Sequence, residues 1–169
     1  MVGVVAATVF VMAAAPQTKG TKVRIGGYDS RVIAVVGAQS AGWGAEMRKK
    51  MQEKHDAEKA GDLVKVKELE AWGERMQQNA HLKAFGTAPV TEIMEKIKDK
   101  LPKIAAEANV CVIVSKWQID FKADNAETVD LTEKIAGLVD PNQKNLKNIV
   151  EEMGKHKPAS EEEILSHKD

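Results

Sequence analysis

The chain has few aromatic residues and almost no cysteine. Only 4% of its 169 residues are Phe, Trp or Tyr, and the single cysteine cannot form an internal disulfide. It also lacks a charge imbalance, because acidic and basic residues number 25 each, which argues against a nucleic-acid binder held by bulk charge. What is abundant is charge of both signs, at 30% of residues. This composition is typical of one domain with long exposed helices.

Motifs of nucleotide and metal chemistry are missing as well. In VIAVVGAQSAGWG, Gly37 and Gly42 have the spacing of a phosphate-binding loop, but Trp43 and Gly44 stand where that loop requires Lys and Ser or Thr. The four histidines show no helical metal-pair spacing, and Cys111 lies in an apolar run where burial makes a thiol inert. We therefore expect that the protein is not an enzyme and that it has no cofactor and no metal site. Nucleotide binding, the alternative, rests on the glycine spacing alone.

The first fifteen residues, MVGVVAATVFVMAAA, carry no charge. Their apolar run, followed by three alanines before Pro16, is typical of a signal peptide, although no basic residue precedes the run. The segment is shorter than the roughly 20 residues that span a bilayer. We expect 1–15 to be a signal peptide, with export of the mature chain and no integral membrane span. A buried strand or helix is the alternative.

Periodicity in the first half of the chain favours one strand and two helices. Alternation over 22–25 predicts a short strand that the glycines 26–27 end or kink. A helical period over 32–51 predicts a helix that Asp29 or Ser30 caps. A reversal at 60–62, where Asp62 caps the next helix, predicts that the two helices pack as an antiparallel pair.

Large apolar side chains are expected in the seam between these two helices. Methionine and tryptophan in such a seam usually pack against each other. The functional alternative is a soft apolar surface that adapts to unlike partners. The candidate residues for binding such partners are Trp43, Met47, Met51, Trp72 and Met76.

The second half of the chain predicts a mixture of helices and strands. An apolar stripe over 90–108 predicts a third helix, capped by Thr87 and kinked or split near Leu101 by Pro102. The β-branched run 110–114 predicts a central strand. The further predicted elements are a return strand over 117–121, a helix from 130–133 through Val139, an amphipathic segment over 146–153, and a polar tail with a short helix after Ser160.

Three stretches of the chain, taken in order, carry a resemblance. They are YDSRV at 28–32, KIAAEANVCVIVSKWQIDF at 103–121 and VDLTEKIAGLV at 129–139. In this order they resemble the Skp/OmpH family of periplasmic chaperones. The resemblance implies an α+β fold with a small β-body of about three strands, from which an antiparallel helical hairpin projects as an arm. It also implies that three bodies associate and that the arms enclose unfolded outer-membrane proteins.

The chain departs from that family in its short, neutral arm and in the break at 86–89. We expect a signal peptide at 1–15, a Skp/OmpH-like domain at 16–141 with its arm at about 40–108, and a C-terminal helix and polar tail at 142–169. The expected function is that of a periplasmic, ATP-independent holdase for unfolded envelope proteins. A non-catalytic envelope scaffold with one defined protein partner is the alternative. The residues expected to form the body and join copies into a homo-oligomer, as a trimer, are Val23, Ile25, Val110, Val112 and Val114.

Overall fold

A computed structural model describes residues 22–166, so the predicted signal peptide at 1–15 lies outside the described residues. Of the described residues, 66% are helical. Three strands form one sheet: β1 (Val23–Tyr28), β2 (Val112–Ser115) and β3 (Ala126–Asp130). The strand order is β2-β1-β3, and β1 pairs in parallel with both neighbours. All three strands therefore end at the same edge of the sheet.

Eight α-helices occur in the described part of the chain. The first, α1, follows β1 directly, and α6 follows β3 directly, so both begin at the carboxyl edge of the sheet. Short 3-10 helices lie at Lys98–Lys100 and Lys116–Gln118. The α-helices are α1 (Ser30–Gln39), α2 (Ala41–Ala60), α3 (Leu63–Ala84), α4 (Thr91–Glu95), α5 (Leu101–Ala108), α6 (Thr132–Val139), α7 (Leu146–Lys155) and α8 (Glu161–Ser166).

Side chains with an oxygen begin the long helices. The Asp29 carboxylate accepts a hydrogen bond from the Arg31 backbone N–H at 3.0 Å, as expected for an N-cap of α1. Ser40 ends α1 and caps α2, which is why the predicted helix over 32–51 is two helices. Asp62 caps α3 by accepting from the Lys65 N–H at 2.9 Å, as predicted. Gly61 before it adopts φ = 70°, a left-handed conformation that favours glycine.

The core lies between α1, α6 and one face of the sheet. Ile33, Leu131 and Ile135 are fully buried there, and Tyr28 joins them from the end of β1. Gly26 lets the strand approach this layer, since a Cβ on it would lie 2.5 Å from Leu131 Cδ1. Because β1 spans Val23–Tyr28, the glycines 26–27 lie inside it, and the prediction that they end the strand is wrong.

The predicted fold class is also wrong. The structure is 66% helical, with a small three-stranded parallel sheet, and no clear antiparallel hairpin projects from the sheet within residues 22–166. The physical reason is that α3 packs not only on α2 but also on α1 and on α8. The helices of the supposed arm at 40–108 are thus part of the packed body. Parallel strands need crossover connections rather than tight turns. Helices α1 to α5 connect β1 to β2, and residues 116–125, with one 3-10 helix, connect β2 to β3.

Two further element predictions need correction, and one is confirmed. The return strand over 117–121 is absent: Trp117 lies in the 3-10 helix, and the third strand is β3. The predicted split of the 90–108 helix near Leu101 is confirmed, because this region forms α4, a 3-10 turn and α5, and α5 begins at Leu101 with Pro102 in its first turn. Thr87 caps none of them, because the residue before α4 is Val90.

The C-terminal region is attached to the core. Helix α7 packs against α1 and α6, and α8 packs against α3. The Arg31 guanidinium donates to the Met153 and His156 carbonyls, both at 2.9 Å, and the Ala159 N–H donates to the Phe85 carbonyl at 2.8 Å. Among residues 22–166, no helix combines the length and apolar character that crossing a bilayer requires.

Candidate binding surface on helices α2 and α3

Helices α2 and α3 lie side by side with little buried area between them. Only Ala57 on α2 and Leu69 on α3 are buried. Polar pairs supply the other contacts: Lys54 Nζ lies 2.9 Å from Glu70 Oε1, and Lys50 Nζ lies 5.9 Å from the centre of the Trp72 ring. Exposed ion pairs of this kind contribute little stability. Because so few side chains are buried between α2 and α3, much of the apolar surface of these helices stays available.

The five predicted binding residues all lie on this helix pair. Met51 is 69% exposed, whereas Trp43, Met47, Trp72 and Met76 are half-buried. A core methionine would instead be almost fully buried. The structure therefore places these side chains on a surface rather than in a closed seam.

Three of the five residues meet in one groove, the α2–α3 groove. Met47 and Met51 from α2 and Trp72 from α3 line a depression of about 420 Å³. Lys50, Lys54 and Glu70 form its polar border. The hydrogen bond from Lys54 to Glu70 raises the pKa of Lys54, which keeps this ammonium charged. The groove is thus an apolar strip with charges of both signs along it.

The other two residues line a second space, the junction cavity, of about 700 Å³. It lies where the end of α1, the start of α2, the end of α3 and α4 meet. Trp43, Met76, Phe85 and Ile93 form its large apolar walls. Small residues lie between these walls: Gly37, Ala38, Gly42, Ala80 and Ala84.

Charged side chains at the junction cavity are paired or mixed in sign. Lys83 on α3 forms an ion pair with Glu92 on α4. Burial raises the pKa of Glu92, but the hydrogen bond from Lys83 and the charge of Lys96 offset this, so the pKa is lowered overall. Glu46 and Asp140 add two carboxylates to the lining. No single sign of charge dominates the site.

A buried ionic network at the carboxyl edge of the sheet was not predicted from the sequence. Asp29 and Arg31 are only 3% and 2% exposed, and Arg31 Nη2 donates to Asp29 Oδ2 at 2.9 Å. Asp29 also accepts from Trp117 Nε1 at 3.0 Å and pairs with Lys116 Nζ at 2.7 Å. The Asp29 backbone N–H donates to the Thr132 hydroxyl at 3.0 Å. The ends of all three strands are joined at this one residue.

This network is a structural junction rather than a reactive centre. Burial raises the pKa of Asp29, but hydrogen bonds from Arg31, Lys116 and Trp117 more than offset that effect, and the pKa is held well below its usual range. The Arg31 guanidinium makes four hydrogen bonds, two to the Asp29 carboxylate and two to carbonyls of the C-terminal region. It also stacks 4.8 Å from the centre of the Trp117 ring. A carboxylate with this many donors is a poor general base.

No group of three or more His, Cys, Asp or Glu side chains in residues 22–166 could hold a metal ion. Cys111 is exposed, so the expectation that burial makes this thiol inert is wrong. Its thiol donates to the Arg24 carbonyl at 3.3 Å.

The predicted oligomer residues divide between the two faces of the sheet. In register, Ile25 lies opposite Val112 and Thr128, and Val23 lies opposite Ala126, so these side chains share one face with Val114. We call this the open sheet face, because Val23 and Val112 are 44% and 46% exposed and the others are at most half-buried. Val110 differs, since it packs against the core beside Gly26.

Known proteins supply no assignment for these features. Comparisons of the chain with protein-family models, with curated proteins and with solved structures find no match. The roles of the α2–α3 groove, the junction cavity and the open sheet face are therefore inferred from their own side chains.

Proposed function

We propose that this protein is an exported, ATP-independent holdase that binds unfolded envelope or outer-membrane proteins, as its sequence resemblance to the Skp/OmpH family implies. The observation that supports this most is the exposure of methionine and tryptophan on α2 and α3. Met51 is 69% exposed and borders a groove with Met47 and Trp72. Methionine is flexible and polarisable, so such a groove adapts to the varied side chains of unfolded chains.

The charges around the groove suit weak and reversible binding. Lys50, Lys54 and Glu70 interrupt the apolar strip, which limits the continuous apolar area that a client can cover. The chain has a net charge of zero, so binding is not driven by bulk attraction. Many shallow contacts of this kind hold a client without fixing its conformation.

We also propose that the protein acts as a homo-oligomer, a trimer, joined through the open sheet face. Parallel sheets occur almost only with both faces covered, and here the core covers one. The exposed Val23 and Val112 make the second face apolar. Association of copies would bury this face and bring several α2–α3 grooves together, which raises the effective affinity for one long client.

Aggregation of an unfolded client tests the proposal. A urea-unfolded outer-membrane β-barrel protein is diluted into buffer with and without this protein, and light scattering is followed. We expect slower aggregation at a several-fold excess of this protein. The variant Met47→Ser/Met51→Ser, which makes the groove polar, should lose most of that effect.

A matched control lies on the same helix pair. Leu63 and Val64 are each 72% exposed at the start of α3 and do not border the α2–α3 groove, so Leu63→Ser/Val64→Ser should protect the client like the unmodified protein. No protection by the unmodified protein would reject the holdase. Capture of one stoichiometric partner from envelope extract would instead favour the scaffold.

A further inference from the structure

The junction cavity offers a more enclosed site than the α2–α3 groove. Its volume of about 700 Å³ falls within the range of roughly 300–1,000 Å³ that is typical of ligand pockets. It is larger than one side chain requires, so a site filled by a single anchoring residue would stay partly empty. We propose that it binds adjacent apolar side chains of an uncharged segment of an unfolded polypeptide. This inference rests on the proposed holdase function and assigns its clients a chemical class.

Small residues in the lining leave room for the junction cavity. Gly42 in α2 meets no other atom within 4 Å of where a Cβ would stand, so the cavity reaches the helix backbone at that position. Ala80 and Ala84 contribute small side chains from α3 to the same lining. Trp43 and Phe85 contribute aromatic surface, and a lining of aromatic and small residues fits apolar side chains.

The charges at the cavity exclude a strongly charged ligand. Lys83 is neutralised by its ion pair with Glu92, and Lys96 lies close enough to Glu92 to lower its pKa. Glu46 and Asp140 would repel an anion such as a fatty-acid carboxylate. The lining thus carries charges of both signs, so an ionic ligand of either sign lies close to charges like its own. An uncharged segment of polypeptide avoids both costs.

The polar groups around the cavity also suit a peptide rather than a purely apolar molecule. Asn79, Gln39 and Ser40 line it together with the charged residues. The Ser40 hydroxyl already donates to the Gly37 carbonyl, and Gln39 Oε1 already accepts from Gln143, but the Asn79 amide can pair with the backbone of an extended segment. A hydrocarbon offers this amide no partner, which lowers its affinity.

The test uses one substitution at two glycines. Gly42→Leu adds a large side chain to the cavity lining, at a position where no atom within 4 Å of the Cβ obstructs it. The control, Gly154→Leu in α7, is the same change at a helical glycine that also has open space and does not border the cavity. Leucine has a higher helix propensity than glycine, so we expect both variants to fold. Far-ultraviolet circular dichroism and urea unfolding of both variants test this expectation.

The probe is a short, end-blocked peptide in which phenylalanine and leucine alternate with serine, labelled with a fluorophore. Its binding to the purified full chain is followed by fluorescence anisotropy. We expect Gly42→Leu to weaken binding at least tenfold, a loss of about 1.4 kcal/mol, and Gly154→Leu to leave it unchanged. A peptide with aspartate or lysine in place of serine should bind more weakly than the uncharged one.

Other results would overturn the assignment. Equal affinity of Gly42→Leu and the unmodified protein would place the peptide elsewhere, and binding of the neutral dye N-phenyl-1-naphthylamine without the peptide would make the cavity a small-molecule site. The aggregation assay separates this inference from the holdase proposal. Protection by the unmodified protein, together with equal peptide affinity of Gly42→Leu and the unmodified protein, would retain the holdase and reject the cavity. Peptide binding at the cavity without protection would retain the cavity and reject the holdase.

Discussion

At the scale of single residues, Asp29 connects several elements in the polar interior of the described residues. It caps α1, pairs with Arg31 and Lys116, and accepts from Trp117. Through Arg31 it also reaches the carbonyls that end α7. Removing one member of a buried ion pair leaves the other charge without compensation, which is costly in a medium of low dielectric constant.

The first prediction follows from this burial. Asp29→Ala should lower the free energy of unfolding by about 3–5 kcal/mol, because Arg31 would remain buried without its carboxylate. Urea unfolding followed by circular dichroism measures the change. Asp124→Ala, at an exposed carboxylate, should change it by less than about 0.5 kcal/mol. Similar decreases in unfolding free energy for the two variants would show that the Asp29 network stabilises the protein no more than an exposed carboxylate does.

The second prediction concerns pH. Since the pKa of Asp29 is lower in the folded protein than in the unfolded chain, its contribution is complete above the unfolded pKa of about 3.9 and is lost as pH falls below it. Between pH 6 and pH 3 this amounts to about 1 kcal/mol of unfolding free energy. Asp29→Asn should lose that part of the acid dependence. If the Asp29→Asn variant and the unmodified protein had the same pH profile of stability, the account would be contradicted.

Residue-level sequence reasoning found the cap at Asp29 but not the network around it. The capping role follows from residue type and position alone. Burial of Arg31 depends on the distant carbonyls of Met153 and His156, and stacking depends on Trp117. These partners lie more than 80 residues away, and no local pattern brings them together.

At the scale of elements, close packing between β1 and the helix layer depends on Gly26. A Cβ there would lie 2.5 Å from Leu131 Cδ1 and 3.2 Å from Val110 Cγ2 and the Val112 carbonyl. Leu131 is almost fully buried, so it has little freedom to move away. The strand therefore tolerates only glycine at this position without displacement of its neighbours.

The third prediction tests that contact. Gly26→Ala should destabilise the protein by about 1–3 kcal/mol through overpacking. Gly154→Ala, in the open part of α7, should be neutral or stabilise by up to about 1 kcal/mol, because alanine favours the helix. Chemical unfolding of both variants gives the comparison. A neutral Gly26→Ala would mean that Leu131 can move aside.

Elements with strong local signals were predicted best. Helix α3 after Asp62 and helix α6 before Asp140 follow from capping residues and apolar periodicity. The third strand was misplaced because Trp117, Ile119 and Phe121 alternate like a strand, yet Trp117 Nε1 donates to Asp29 and holds the segment in a 3-10 turn. A tertiary hydrogen bond overrode the local pattern there. The fold class failed for a similar reason, since the packing of α3 on α1 has no local signature.

At the scale of the whole molecule, the sheet is covered unequally. Its inner face packs on the core, whereas the open sheet face presents Val23 and Val112 to solvent. The proposed trimer would remove this exposed apolar area. Association is thus expected to depend on the sheet rather than on α2 and α3.

The fourth prediction separates these two surfaces. Light scattering on the purified protein should give three times the monomer mass, and Val112→Asp should give the monomer mass, because it places a charge in the proposed interface. Val64→Asp at the exposed start of α3 should leave the trimer intact. A monomeric unmodified protein would contradict the proposed assembly.

Nuclear magnetic resonance of the methionine methyl groups tests the holdase proposal most directly, because these side chains form the proposed client surface. With methyl-labelled methionine, a saturating unfolded β-barrel protein should shift or broaden the signals of Met47, Met51 and Met76. Met94 and Met153 pack against the core and should stay unchanged, as internal controls. Unchanged signals from Met47, Met51 and Met76 while the client is bound would show that α2 and α3 do not hold it.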